Sequence, residues 1–382
     1  MTRSQHACRF IVKPESYQTR LSPKKRIESM RNSKLIDRSV ASEFLSDRSL
    51  DLNSFQAIDE AGAQMLVNSM ADLHLNGLTS LSVEVARILA KQDGDLYLNG
   101  LKSLSDDVAL CFLNHQGNLH LHGLKRMSTY LTETLARHPG GLGLRGLSSI
   151  SDLQARILSR LRGVLFLGGL TELSAGAARE LGKHTWGLGL RGLTTISDEV
   201  AEGLSHNLAG LHLGGLTSLS DQSAEIFANN HRDGLHLGGL TVLSDKSAQF
   251  LGKHHGELDF SGLKTISAKA AAAFNDHWDG LHLGGLTSIS DEAAIALGQH
   301  KGDIHLGSLP TLTEAAAKGL SEHKGLMFLT GLKSLPESAH EALKHHKGEP
   351  ILSQYEITAE PEKARAVKAV KAVKAVKRKK RV

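Results

Sequence analysis

The chain has 382 residues, of which 40% are hydrophobic but only 4% aromatic, so leucine and alanine must fill any core. No apolar stretch reaches the roughly 18 residues of a membrane-spanning helix, and two cysteines, Cys8 and Cys111, cannot build a disulfide framework. The formal charge of +5 is partitioned: residues 1–34 carry nine Arg/Lys against Glu15 and Glu28 (net +7), and residues 357–382 carry ten against Glu360 and Glu362 (net +8), which leaves −10 for the middle.

Residues 1–31 show no internal repeat and read as a basic, disordered N-terminal arm. No long apolar run lies between Met1 and Pro14, which argues against a secretory leader. With so few cysteines, the expected location is the reducing cytoplasm.

Residues 32–348 repeat. A glycine recurs at Gly77, Gly100, Gly123, Gly146, Gly169, Gly192, Gly215, Gly239, Gly262, Gly285 and Gly331, with Ser54 and Ser308 in two further slots. The spacing is 23 residues, apart from one extra residue between Gly215 and Gly239. A fixed period of this size means stacked supersecondary units. In each copy a Leu-x-Leu step, such as Leu211-His212-Leu213, has the period of two of a short strand with both leucines inward. Five residues after the marker comes a helix N-cap: Asp59, Ser82, Ser105, Ser128, Ser151, Ser174, Ser197, Ser220, Ser244, Ser267, Ser290 and Thr313. Its oxygen accepts from a free amide of the first turn, worth about 1 kcal/mol. Only Gln154 is placed for a capping box.

Apolar residues at helical spacing follow, for example Val200, Ala201 and Leu204, and Cys111 beside Phe112 reads as a small core residue. A histidine closes the helix at His115, His138, His184, His254, His277, His300, His323 and His346. There it can bond to free carbonyls and suits the negative end of the helix dipole. One copy has a single apolar face and cannot bury it alone, whereas about thirteen stacked copies share a continuous core. The predicted fold is an α/β solenoid: a curved superhelix with a parallel sheet on its inner face, short helices outside, and a strand layer on the order of 60 Å long.

This strand-plus-helix repeat built on Leu-x-Leu resembles the leucine-rich-repeat family over roughly residues 32–348, in a variant close to the Gly-Leu-Thr-x-Leu-Ser repeats of some bacterial proteins. Leucine (Leu78, Leu101, Leu124, Leu216, Leu286) stands where the family usually carries an asparagine or cysteine ladder. The resemblance implies protein–protein recognition.

Residues 349–382 read as a linker and a low-complexity tail, with Pro350-Ile351-Leu352 a candidate stub of a final strand. The tail sets Lys368, Lys371, Lys374, Lys377, Arg378, Lys379, Lys380 and Arg381 among alanine and valine. Lysine at every third position spirals around a helix and makes no amphipathic face. Such a tail either attaches to nucleic acid or another polyanion by counterion release, or serves as a solubilising arm that docks on the acidic middle.

Serine, aspartate and histidine recur in nearly every copy, whereas a catalytic site is singular, so neither an enzyme nor a cofactor is expected. Phosphate-loop and zinc-type spacings are lacking. The column free to vary is the middle residue of Leu-x-Leu: Asp51, His74, Tyr97, His120, Gly143, Phe166, Gly189, His212, His236, Asp259, His282, His305 and Phe328. Just past the second leucine a neighbouring column includes His122, Arg145 and Arg191 among asparagines and, later, glycines. Except for Asp51 and the two glycines, these form the candidate partner-binding surface. The row His212, His236, Asp259, His282 and His305 is also weighed as a divalent-metal site, although side chains on one sheet face run parallel rather than converging. Crowding of its imidazoles predicts pH-sensitive binding between about pH 5 and 7. The sequence thus points to a non-enzymatic interaction scaffold that binds an unidentified protein; the alternative is a nucleic-acid-associated protein in which the lysine-rich tail is the main binding element.

Overall fold

The computed structural model describes residues 34–67, 72–352 and 354–358. Each copy from Leu73 onward contributes a strand core, usually two residues long, such as Leu73–His74, Leu96–Tyr97 and Leu211–His212. Thirteen of these strands form one parallel sheet in chain order, from Leu73–His74 to Glu349–Leu352. Neighbouring copies are joined through the backbone: Leu211 N–H donates to Gly234 O and Leu213 N–H to His236 O, both at 2.9 Å. The flanking leucines, Leu211 and Leu213 among them, are fully buried. They meet helix residues such as Val200, Ala201 and Leu204 in one continuous cluster that runs from Ile36 to Leu343. The predicted α/β solenoid is the architecture that forms.

Every predicted N-cap is made. Ser220 Oγ accepts from Ser223 N–H at 2.9 Å, and Ser151 with Gln154 completes the capping box. The cap hydroxyl also has a second role that the spacing alone did not reveal. Ser220 Oγ donates to Asp198 Oδ1, Ser244 Oγ to Asp221 Oδ1 and Ser267 Oγ to Asp245 Oδ1, each at 2.5 Å. In each case the acceptor is the first helical residue of the preceding copy, so one oxygen caps its own helix and ties it to the helix before.

The marker glycine sits in the turn that follows each strand with an ordinary φ, and what excludes a side chain there is proximity. A Cβ on Gly169 would run into Arg145 O, and one on Gly285 into Ser261 O, the carbonyls of the copy before. Several histidines at the helix ends bond to carbonyls of other copies, with His115 Nδ1 3.0 Å from Gln92 O and His323 Nδ1 3.1 Å from His300 O, whereas His138 Nδ1 accepts from Gly140 N–H at 3.0 Å. They are buried, at 0–3% exposure for His115, His138, His184, His254 and His323. Burial, the largest influence, lowers their pKa values, to about 4 for His138 and His254. They are therefore neutral near pH 7 and carry no charge to set against the helix dipole.

The extra residue between Gly215 and Gly239 is absorbed on the helix side. The helix there, Asp221–Asn230, has ten residues where Asp198–Leu204 and Asp245–Leu251 have seven. Strand register is kept, with Leu235 opposite Leu211 and Leu258. The insertion also brings His231, which the sequence reading missed, into the buried histidine column, stacked on His254 at 5.5 Å.

At the N-terminal end, Asp51 does not join a strand. It caps the short 3-10 turn Leu52–Ser54 by accepting from Asn53 N–H at 3.0 Å. At the other end, Glu349–Leu352 pairs with Leu326–Leu329 and carries the sheet past residue 348. The segment Glu356–Thr358 then pairs with Ser334–Pro336 in a second small sheet, and His340 Nδ1 lies 2.8 Å from Tyr355 Oη. Among the described residues no helix is long and apolar enough to cross a membrane.

Two measurements test this packing. In urea unfolding, Gly215→Ala should cost about 1–3 kcal/mol, while the adjacent Gly214→Ala, with open space around its Cβ, should stay within about 0.5 kcal/mol. Equal losses would contradict the close approach. For the buried histidines, the unfolded chain takes up protons below pH 6.5, whereas folded His138 and His254 do so only near 4. Stability is therefore complete above about pH 7.5 and falls between 6.5 and 4, by about 1.4 kcal/mol per pH unit for each such histidine. A flat stability profile across that window would refute the assignment.

Candidate functional site on the open face of the sheet

The second residue of each strand core points away from the helices, and parallel pairing puts these residues in one row. Phe166 is opposite Gly189, Gly189 opposite His212, and His212 opposite His236. Strands about 4.8 Å apart bring like-directed rings within stacking distance. His74 lies on Tyr97 and Tyr97 on His120 with centroids 4.2 Å apart; His212 lies on His236 at 4.1 Å; His282 on His305 at 3.9 Å; and His305 on Phe328 at 4.0 Å. The rings are therefore held in place before any partner arrives. Gly143, Gly189 and Asp259 interrupt the stacks.

The neighbouring column does different work in its two halves. Toward the N-terminus its side chains accept from the next copy's backbone: Asn76 N–H donates to Asn53 Oδ1 at 2.9 Å, Asn99 N–H to Asn76 Oδ1 at 3.2 Å, His122 N–H to Asn99 Oδ1 at 2.9 Å and Arg145 N–H to His122 Nδ1 at 3.3 Å. This ladder was legible as a run of asparagines at 23-residue spacing, but the sequence reading took them only as exposed groups. Arg145 and Arg191 are exposed, and Arg145 Cζ lies 5.5 Å from the Phe166 ring centroid.

Of the candidate residues, ten share the register row, and His122, Arg145 and Arg191 stand in the column beside it. His120 departs from expectation: it is only 9% exposed, covered by Tyr97 on one side and by His122 and Phe166 across Gly143. It supports its neighbours and offers little surface of its own. The polyanion candidates Lys368, Lys371, Lys374, Lys377, Arg378, Lys379, Lys380 and Arg381 lie outside the described residues.

Electrostatics sharpen the picture. Burial first, then Arg145 and His120, lowers the His122 pKa to about 4; burial first, then His236 and Arg191, does the same for His212. Both titrate below the pH 5–7 window expected from crowding alone. Burial alone would raise the Asp259 carboxyl, but the neighbouring His236 and the hydrogen bonds from Ser261 win and hold it well below the usual carboxylate range. His282 Nε2 meets Glu257 Oε1 at 2.9 Å. Among the described residues no three His, Cys, Asp or Glu side chains gather as a metal cage. Rings stacked face to face hold their nitrogen lone pairs parallel, whereas a tetrahedral ion needs them convergent.

No family model and no curated protein matches the sequence. Solved structures with a similar course of the chain include a leucine-rich-repeat protein of Leptospira interrogans, 16% identical, covering 76% of this chain and 85% of that one, with a TM-score of 0.43. A chain of the yeast Rad7 and Elc1 complex is 14% identical, with 81% of this chain and 89% of that one covered, at 0.41. A chain of the Drosophila Toll–Spatzle complex is 11% identical, at 0.47; the alignment takes in 76% of this chain but 43% of that one. The fold is an α/β solenoid. Its repeat is similar to the leucine-rich repeat, and its specific features are the ring row and the two arginines described above.

NMR titration of the histidine side chains checks the electrostatics. His122 and His212 should titrate near pH 4, and Arg145→Gln should raise the His122 value by removing a neighbouring cation. An unchanged His122 titration in that variant would show that the arginine is not felt.

Proposed function

We propose that this protein is a non-enzymatic scaffold that binds a protein partner through the open face of its sheet, with its basic arms attaching to a polyanion. The observation that carries this reading is the pre-stacked ring row. Its rings are ordered without a partner, so binding costs little side-chain entropy, and aromatic groups are the residues most enriched at interface hot spots. The groups that might suggest catalysis already have structural roles. Serines cap helices and bind the preceding aspartate, and histidines at the helix ends are buried against carbonyls. The polyanion part is supported by the net +8 of residues 357–382.

The test is affinity capture with the full chain at low and high salt, repeated with Tyr97→Ala plus His305→Ala and with residues 361–382 deleted. The ring variant should lose a captured protein by about tenfold or more, in line with loss of interface anchors. The deletion should abolish salt-sensitive binding to duplex DNA while keeping that protein. Retention of the protein after ring truncation would overturn the open-face reading. Loss of all binding on tail deletion would favour the alternative, a nucleic-acid-associated protein led by its tail.

A further inference from the structure

Two glycines open the ring row, and they behave differently. At Gly143 the gap has closed: a Cβ there would lie 2.5 Å from His122 Cε1 and 2.7 Å from His120 Nδ1, because both rings lean in. At Gly189 it stays open. A Cβ would meet Phe166 Cδ1 at 3.2 Å and nothing else closer than 3.7 Å. His212 stacks away from the gap, on His236. The neighbouring column explains the contrast, since Gly143 has the His122 ring beside it, whereas Gly189 has Gly168 and the flexible Arg191. The result is a recess of about 80 Å³ lined by Arg145, Phe166, Gly168, Gly189, Arg191 and His212. Two strand steps separate Phe166 from His212, about 10 Å at the backbone, which leaves the thickness of one ring between two ring faces.

The mouth of the recess is built for negative charge. Among the described residues neither Arg145 nor Arg191 has a carboxylate partner. Both arginines flank Gly168: a Cβ on it would sit 3.7 Å from Arg145 Cγ and 3.9 Å from Arg191 Cβ, in ordinary contact. The backbone ladder also breaks here, for a chemical reason. The N–H of Gly168 would need an acceptor on residue 145, and that of Arg191 one on residue 168. Arginine has only donors and glycine has no side chain. Among the described residues these two amides therefore find no acceptor, unlike those of Asn76, Asn99, His122 and Arg145.

We propose that the recess at Gly189 binds a single planar aromatic ring that carries an anionic group, with the ring between Phe166 and His212 and the anion on Arg145, Arg191 and the free amides. The ring can belong to a free aryl carboxylate or to an aromatic residue within an acidic segment of a protein. Only the second source rests on the partner reading above.

Amide NMR of the full chain tests this with benzoate and with the peptide acetyl-Gly-Glu-Phe-Glu-Gly-amide. Cyclohexanecarboxylate serves as the anion without a flat ring, and benzyl alcohol as the ring without charge. Shifts at Gly168, Gly189 and Arg191 are expected with benzoate or the peptide, at concentrations about tenfold below those the controls require. Gly189→Phe fills the slot with the protein's own ring and should abolish them. Arg145→Gln with Arg191→Gln should weaken binding about tenfold. If Gly189→Phe does not fold, Phe166→Leu, which removes one stacking face, should weaken binding instead. Tighter binding of the peptide than of benzoate assigns the ring to a protein segment, and the reverse order assigns it to a free ligand. Equal response to cyclohexanecarboxylate, persistence in a folded Gly189→Phe or Phe166→Leu variant, or no shift at Gly189 overturns the proposal. Capture of a protein by the ring row is a separate measurement, so failure of the slot leaves that reading intact.

Discussion

Everything in this molecule depends on contact between one copy and the next. A single strand and helix bury nothing of use on their own. Stability comes from leucines shared across a boundary, from backbone bonds such as Leu213 N–H to His236 O, and from glycines that let a turn rest on the carbonyls behind it. The cap hydroxyls belong to the same system, because each closes its own helix and holds the aspartate of the copy before. The buried histidines do so too, reaching back to carbonyls of preceding copies. Polar residues that look functional in a linear reading are largely the joints of the array.

The open face follows directly from that constraint. Residues one period apart must sit side by side, so a recurring aromatic or histidine becomes a stack whether or not a partner is present. Variation along this face is what makes one copy's open side differ from the next. The asparagine ladder pairs the N-terminal half with itself, the glycines of the C-terminal half leave backbone uncovered, and the two arginines fall at the junction. At that junction the ladder ends because the side chains present cannot accept a hydrogen bond.

Local features were the easiest to read from the sequence. The N-caps and the capping box involve residues three apart, so spacing alone locates them, and the strand row follows from the period. Features set by neighbours were harder. Leu50-Asp51-Leu52 has the strand pattern, yet Asp51 turns its side chain to cap a 3-10 turn instead. Glu349–Leu352 lacks the full pattern yet pairs, because the edge of the sheet is waiting for it. His120 looks exposed in its own copy and is covered by rings from the copies around it. The open slot at Gly189 and the closed one at Gly143 differ through the adjoining column and through the way the row's own rings lean. A reading that compares two columns together can find this, whereas one column at a time cannot.

The longer helix Asp221–Asn230 shows where such an array can change size. Its added residue falls on the side that does not keep step with its neighbours, while the strand row stays in phase on either side. An insertion in the Leu-x-Leu segment would instead reverse which side chains face the interior for that copy and sever the row. Lengthening through evolution or by design is thus confined to one edge, and the ring row is preserved by the same geometry that forbids alteration near it.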